Sequence, residues 1–335
     1  MIKQPSNHNK VINLILIYSL LLMFLIVISL FSITYKIEGL TFETVIRNDD
    51  PLLFYTIWNI RVPRLLLAIV LGAALATAGC LLQVITLNSL SDPEVIGINQ
   101  GASCFAVLSI LLFSGNQNSF AILIGAFVGA SIVSGILFIL SYYNANDYSR
   151  LLLGGVAISA FMGAFTTSFI LFYETQLSEV LYWMAGKLSG AEWADNKIAW
   201  ILNIPSITIA IFFANNINLL AQGEEIASGL GLKIIRTRQI LGLLIIIMTG
   251  SSVAVAGPIG FIGLIVPHMV KRIVGSNHKV VLPMSALLGA SLLAASDFAA
   301  QWVFSPVEIP VGIITAFLGV PFFLYLLRKR GGDFR

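Results

Sequence analysis

Apolar residues in this chain neither alternate nor follow a narrow helical stripe. They run on in long blocks separated by short polar stretches. A block of about 20 apolar residues matches the roughly 30 Å hydrocarbon core of a bilayer when it is helical. The pattern therefore predicts an all-α, polytopic integral membrane protein with about ten transmembrane helices, near 11–33, 63–83, 95–113, 119–140, 150–172, 198–214, 240–256, 257–274, 281–302 and 310–327. Two of these are expected to be interrupted, 257–274 by Pro258 and Pro267 and 198–214 by Pro205. A broken helix survives in a membrane where protein or water satisfies the freed backbone groups, so both mark possible transport routes. The first block follows Lys3 and Lys10, is too long for a signal-peptide core and lacks a clear small-residue cleavage site. It predicts a retained helix behind a short cytoplasmic tail, 1–10.

Composition sharpens the picture. Of 335 residues, 58% are hydrophobic and only 10% charged, against about a quarter charged in an ordinary soluble domain. One transmembrane domain, 1–335, would use up the whole chain. The formal charge is only +3, and basic residues sit in small groups between apolar blocks, as loop charges do, which sets nucleic-acid binding aside. With the N-terminus inside, 13 of the 19 lysines and arginines fall on the inner side and 6 on the outer. The positive-inside rule then puts both termini in the cytoplasm. Small residues recur at Gly72, Ala76, Gly79, Gly125, Gly129, Gly154, Gly155 and Gly163, where helix backbones are expected to pack closely in lipid.

Several chemistries are disfavoured. Cys80 and Cys104 have no metal-like spacing and read as buried thiols. Asp297 alone sits well inside a predicted helix, whereas a carrier coupled to protons or sodium needs buried ionisable groups to hold its ion. The stretch Gly229-Leu230-Gly231-Leu232-Lys233 lacks the spacing and hydroxyl of a phosphate-binding G-x-x-x-x-G-K-[ST] loop. The chain is thus expected not to be an enzyme and to bind no cofactor, with any ATP used by a separate ATPase.

Specific blocks follow in order. They are Arg61-Val62-Pro63-Arg64-Leu65-Leu66-Leu67, Gly72-Ala73-Ala74-Leu75, Asn88-Ser89-Leu90-Ser91-Asp92-Pro93-Glu94-Val95-Ile96-Gly97-Ile98, and Leu181-Tyr182-Trp183-Met184-Ala185-Gly186. Ala227-Ser228-Gly229-Leu230-Gly231-Leu232 comes next, then the run from Gly257-Pro258-Ile259-Gly260 through Val266-Pro267-His268, Glu308-Ile309-Pro310-Val311-Gly312 and Gly319-Val320-Pro321-Phe322-Phe323. In order and spacing the chain resembles the iron-siderophore, haem and cobalamin permease family of ABC importers. The resemblance implies a ten-helix subunit in a bacterial inner, cytoplasmic membrane, paired with a second permease, identical or paralogous. Two cytoplasmic ATPases lie below it and an extracytoplasmic substrate-binding protein above. The expected cargo is a ferric siderophore complex, with haem or cobalamin as alternatives within the family and an ion-coupled carrier as the alternative outside it.

Three sites follow. Arg61 and Arg64 flank Pro63 at a helix start, where the dipole is positive, an unfavourable place for cations unless an anion compensates. An external acidic partner would supply it, and in the family arginines at the matching positions dock carboxylates of the binding protein. The alternatives are headgroup anchoring or pairing with Glu38 or Glu43. A further docking arginine of some members is replaced here by Gln301. In the cytoplasmic loop at about 215–239, a short helix is expected to open near Gly223, to carry Glu224 and Glu225 in its first turn, and to end near Gly229 or Gly231. The resemblance makes Gly223, Glu224, Glu225, Ala227, Ser228, Gly229, Leu230 and Gly231 the element that couples to the ATPase. The translocation path is expected along the fifth helix, the segment 177–187 and the last helix, with Tyr182, Trp183, Gly186, Pro310 and Gly312 as candidate wall residues; Tyr182 and Trp183 also suit an interfacial belt. Iron arrives already chelated, so the wall needs no metal ligands, and His268 is not expected to be one.

Overall fold

A computed structural model describes residues 7–36, 51–94, 96–112, 119–143, 148–172, 177–303 and 305–330. The described residues form helices and connecting turns with no strand: α1 Asn7–Thr34, α2 Pro51–Tyr55, a π-helical turn Thr56–Arg61, α3 Val62–Ile85, α4 Ile98–Leu112, α5 Ser119–Tyr143, α6 Tyr148–Phe172 and α7 Leu177–Met184. The second half continues with α8 Trp193–Phe212, α9 Ala214–Leu220, α10 Glu224–Gly229, α11 Ile234–Ala256, α12 Ile262–Val274, α13 His278–Trp302 and α14 Val311–Arg330. Each of the ten expected segments overlaps one of these helices. By length and hydropathy six are long enough to cross a bilayer, seven when α8 and α9, bent by 61° at Phe213, count as one.

Helix α3 is the axis of the bundle, buried along almost its whole length and packed by α8, α11, α12 and α13. Glycines make this closeness possible. A Cβ at Gly72 would collide with the Gly289 carbonyl of α13, one at Gly79 with the backbone of Gly263 in α12, and Gly101 of α4 meets Gly129 of α5 in the same way. Apolar side chains gain nothing by leaving lipid for one another, so association rests on such backbone approach. Gly163 departs from the expected role, since nothing lies within 4 Å of the place its Cβ would occupy.

Prolines shape the bundle differently from expectation. Pro205 and Pro267 are carried inside α8 and α12 without ending them, and the true break in the α8–α9 pair lies at Phe213. Ahead of α3 the helix starts at Pro51, not at residue 63. The turn Thr56–Arg61 widens so that Val62 N–H reaches the Ile57 carbonyl five residues back. Pro63 has no N–H, and its ring crowds the preceding turn, which a π-bulge relieves. Helix α1 lies against α13, with Tyr18 Oη donating to the Val280 carbonyl at 3.2 Å and Tyr35 edge-on to Phe298. Its other faces, including Ile15, Leu20, Met23 and Leu30, are exposed and apolar, a surface suited to hydrocarbon.

Candidate functional site

At one end of α3 both arginines find partners inside the chain, Arg64 two carboxylates and Arg61 backbone carbonyls. Arg64 grips Asp297 of α13 with Nε at 2.9 Å from Oδ2 and Nη2 at 3.0 Å from Oδ1, and its Nη1 reaches Glu308 Oε2 at 2.7 Å. Gln301, standing where some family members have arginine, donates through Nε2 to Asp297 Oδ2 at 2.8 Å. Arg61 donates through Nη1 to the Ile33 carbonyl at 2.8 Å, satisfying the last turn of α1 where the dipole is negative. The expected anion was an external carboxylate, with Glu38 or Glu43 as the internal alternative; for Arg64 it is Asp297 and Glu308 that supply it. Glu38 and Glu43 lie outside the described residues. The missed signal was a pairing one: Arg64 is the one charge of α3 and Asp297 the one charge well inside α13, and such charges are stable mainly as partners.

Two residues beyond Glu308 the chain enters a junction where three non-helical breaks meet. Lys187 N–H donates to the Ala256 carbonyl at 2.8 Å and Gly312 N–H to the Gly186 carbonyl at 3.2 Å. Gly257 presses against the Trp183 carbonyl and Gly312 against that of Ala185, so any side chain there would collide. Gly186 and Gly257 have φ of 75° and 70°, a region open to glycine at little cost. The five candidate path residues are thus brought together, but the chain itself covers three of them. Trp183 is 7% exposed, and Gly186 and Pro310 are buried, so within this chain they pack into the junction. Tyr182 and Gly312 remain partly exposed.

From this junction residues 257–261 lead into α12, which has 13 residues, about 20 Å of helix and too short to cross a bilayer. Two buried carboxylates outside the expected sites lie against its start. Asp92 and Glu94, in the connection between α3 and α4, face the backbone N–H groups of Leu264 and Phe261, and the Glu94 carboxylate lies against Gly260 where a side chain would collide. Burial pushes Asp92 up to about 6 and Glu94 up to about 7, with the neighbouring carboxylate adding to the shift at Glu94 and the helix N–H groups opposing both. The available signal was two carboxylates closely spaced around a proline, Asp92-Pro93-Glu94, in a short connection between apolar blocks.

At the other end of the bundle the expected short helix is present as α10, Glu224–Gly229, entered through Gly223 at φ 104°. It closes with Gly231 N–H on the Ser228 carbonyl and Leu232 N–H on that of Ala227, Gly231 taking φ 83°. This is the double closure that glycine allows after a helix end. The surrounding stretch 215–239 is largely helical and not an open loop, since it also contains most of α9 and the start of α11. Glu224 pairs with Arg238 of α11 at 2.6 Å, and Arg238 Nη2 lies 3.4 Å from the Ile85 carbonyl at the end of α3. Ala227 is fully buried against the chain, while Glu225, Ile226, Ser228, Gly229 and Leu230 are exposed. The outer face of α10 is therefore part acidic and part apolar.

Fold and sites together define a helical membrane protein with a charged cluster at one end, a broken-helix junction inside and a short presented helix at the other. A family model, the FecCD transport family, matches residues 20–329. The chain is 37% identical over 321 residues to the Fe(3+)-citrate import system permease protein YfmD of Bacillus subtilis, covering 93% of this chain and 96% of that protein. It is also 37% identical over 322 residues to the hemin transport system permease protein HmuU of Yersinia pestis, covering 94% and 96%. A solved inward-facing structure of a metal-chelate type ABC transporter superposes with a TM-score of 0.82 at 26% identity, covering 94% of this chain and 99% of that one. The chain belongs to the FecCD transport family and is a multi-pass permease subunit of the ABC importer type.

Proposed function

We propose that this subunit carries ferric siderophore complexes inward, driven by ATP hydrolysed on separate ATPase subunits. The observation that carries the reading is the match with an iron-chelate import permease over 93% of the chain, which leaves little of the fold for another activity. The assembly we infer has a second permease, two cytoplasmic ATPases seated on α10 and a binding protein on the face that carries Arg61 and Arg64. It sits in a bacterial cytoplasmic membrane with both termini inside, as the charge bias favours. The permease holds no cofactor of its own in this scheme, and its chemistry is docking, gating and coupling.

Each part has physical support. Arg61 keeps part of its side chain exposed, and an arginine fork suits a carboxylate. The Glu224–Arg238–Ile85 contacts give α10 a stiff link into α11 and α3, so a push on its outer face reaches the bundle. The exposed faces of α6 and α14 beside the junction, with Tyr182 and Gly312 at its edge, are the proposed wall of the path. A second reading, haem as cargo, is favoured by the equal identity to a hemin permease. Uptake of radiolabelled ferric citrate, ferric hydroxamate, haem and cobalamin in cells lacking this gene, with and without complementation, decides. Restoration of a ferric chelate alone supports the siderophore reading, and restoration of haem or cobalamin alone replaces it.

A further inference from the structure

The two carboxylates on Arg64 are not equivalent. Asp297 receives two guanidinium nitrogens and a bond from Gln301, and its side chain is 2% exposed. Glu308 receives one nitrogen, Nη1 at 2.7 Å, and its side chain is 42% exposed. Asp297 is thus the tighter partner of Arg64. Glu308 covers its remaining face, held by a single charge-assisted bond in partial contact with solvent, where such pairs are weak. The four charges Arg61, Arg64, Asp297 and Glu308 sum to zero, so Glu308 cancels positive charge that this cluster would otherwise offer an acidic partner.

We propose that Glu308 is an internal occupant of the docking site, holding Arg64 in the resting subunit and giving way to a carboxylate of the incoming binding protein. The inference rests on the docking reading above and adds how the site is regulated. Its consequence reaches inward. Glu308 is two residues from Pro310 and four from Gly312, whose N–H is bonded to the Gly186 carbonyl. Release of Glu308 frees the connection that sets the start of α14 on the junction, so docking is felt where three breaks meet. A permanent structural bridge would instead tolerate no exchange.

The test compares wild-type, Glu308→Gln and Arg61→Glu permeases, each in the full complex with its ATPase in nanodiscs. The probe is the purified substrate-binding protein loaded with ferric chelate. In Glu308→Gln the new side chain keeps an amide oxygen for Arg64 Nη1, so the fold is retained while the competing charge is gone. The expected result is a Kd about two- to fivefold tighter for Glu308→Gln, the scale of one exposed ion pair, and a weaker Kd for Arg61→Glu. A gain in affinity is not something that loss of structure produces. An unchanged or weaker Kd for Glu308→Gln, with Arg61→Glu still weakened, overturns the exchange and leaves docking standing. No effect of Arg61→Glu overturns the docking reading and the exchange with it.

Discussion

Arg64 of α3 and Asp297 of α13 are joined through two guanidinium nitrogens on one buried carboxylate, 233 residues apart in sequence. Removing one partner of such a pair leaves an uncompensated buried charge and costs about 3–5 kcal/mol, whereas replacing both with apolar residues of similar size is often close to neutral. Asp297→Ala and Arg64→Glu should therefore lose folded protein, seen as a lower unfolding temperature in detergent and poor yield. Arg64→Met with Asp297→Leu should recover most of it. Equal losses in single and double variants would mean that the pair is not the stabilising unit. Arg64→Glu is for the same reason no probe of docking, because it would gather three carboxylates in one buried place.

Glycine packing gives a contrast within one subunit. Gly79→Leu drives a side chain into the Gly263 backbone and should lose folded protein, while Gly163→Leu enters open space and should unfold within a degree or two of wild type. Unfolding temperatures in matched detergent read both. Similar values for the two variants would show that backbone approach is not what holds α3 to α12.

Coupling should depend on the outer face of α10 and not on its buried side. Leu230→Glu places a charge on an exposed apolar residue, so the subunit should fold normally while transport falls and the ATPase detaches or hydrolyses ATP without transport. Ala227→Trp, at a fully buried site, should damage the subunit itself. Copurification and ATP-driven uptake separate the two losses. Normal transport by Leu230→Glu would move the coupling site elsewhere.

The cap of α12 should make stability fall as pH rises. Asp92 and Glu94 have folded-state pKa values of about 6 and 7, above those of free carboxyls near 4. Between those limits the folded state holds more protons than the unfolded one, so stability is lost as pH climbs from about 4.5 to above 7. The unfolding temperature of wild type minus that of Glu94→Gln should therefore decrease between pH 5 and pH 8. A difference that stays level or increases would show that Glu94 is not held protonated in this cap.

Much of this was legible in the chain. Unbroken apolar blocks placed the helices, and Gly223 and Gly231 bounded α10 closely, because glycine at positive φ is a local requirement. What was hidden was non-local. Nothing near Pro205 says that α8 absorbs it and bends instead at Phe213, since neighbouring helices decide where a break is tolerated. The partners of Arg64 lie more than 230 residues away, so an external anion looked as good as an internal one. Trp183 read as a wall or belt residue, yet its burial is set by Gly257 from a distant turn.

The central claim, inward transport of an iron chelate through this subunit at the expense of a partner's ATP, is tested most directly in vesicles. Proteoliposomes containing the permease pair and its ATPases, with loaded binding protein outside and ATP trapped inside, should accumulate radiolabelled ferric siderophore. Uptake should persist when proton and sodium gradients are collapsed, and stop when ATP is replaced by a non-hydrolysable analogue. Uptake that survives loss of hydrolysis and disappears with the ion gradients would contradict the account.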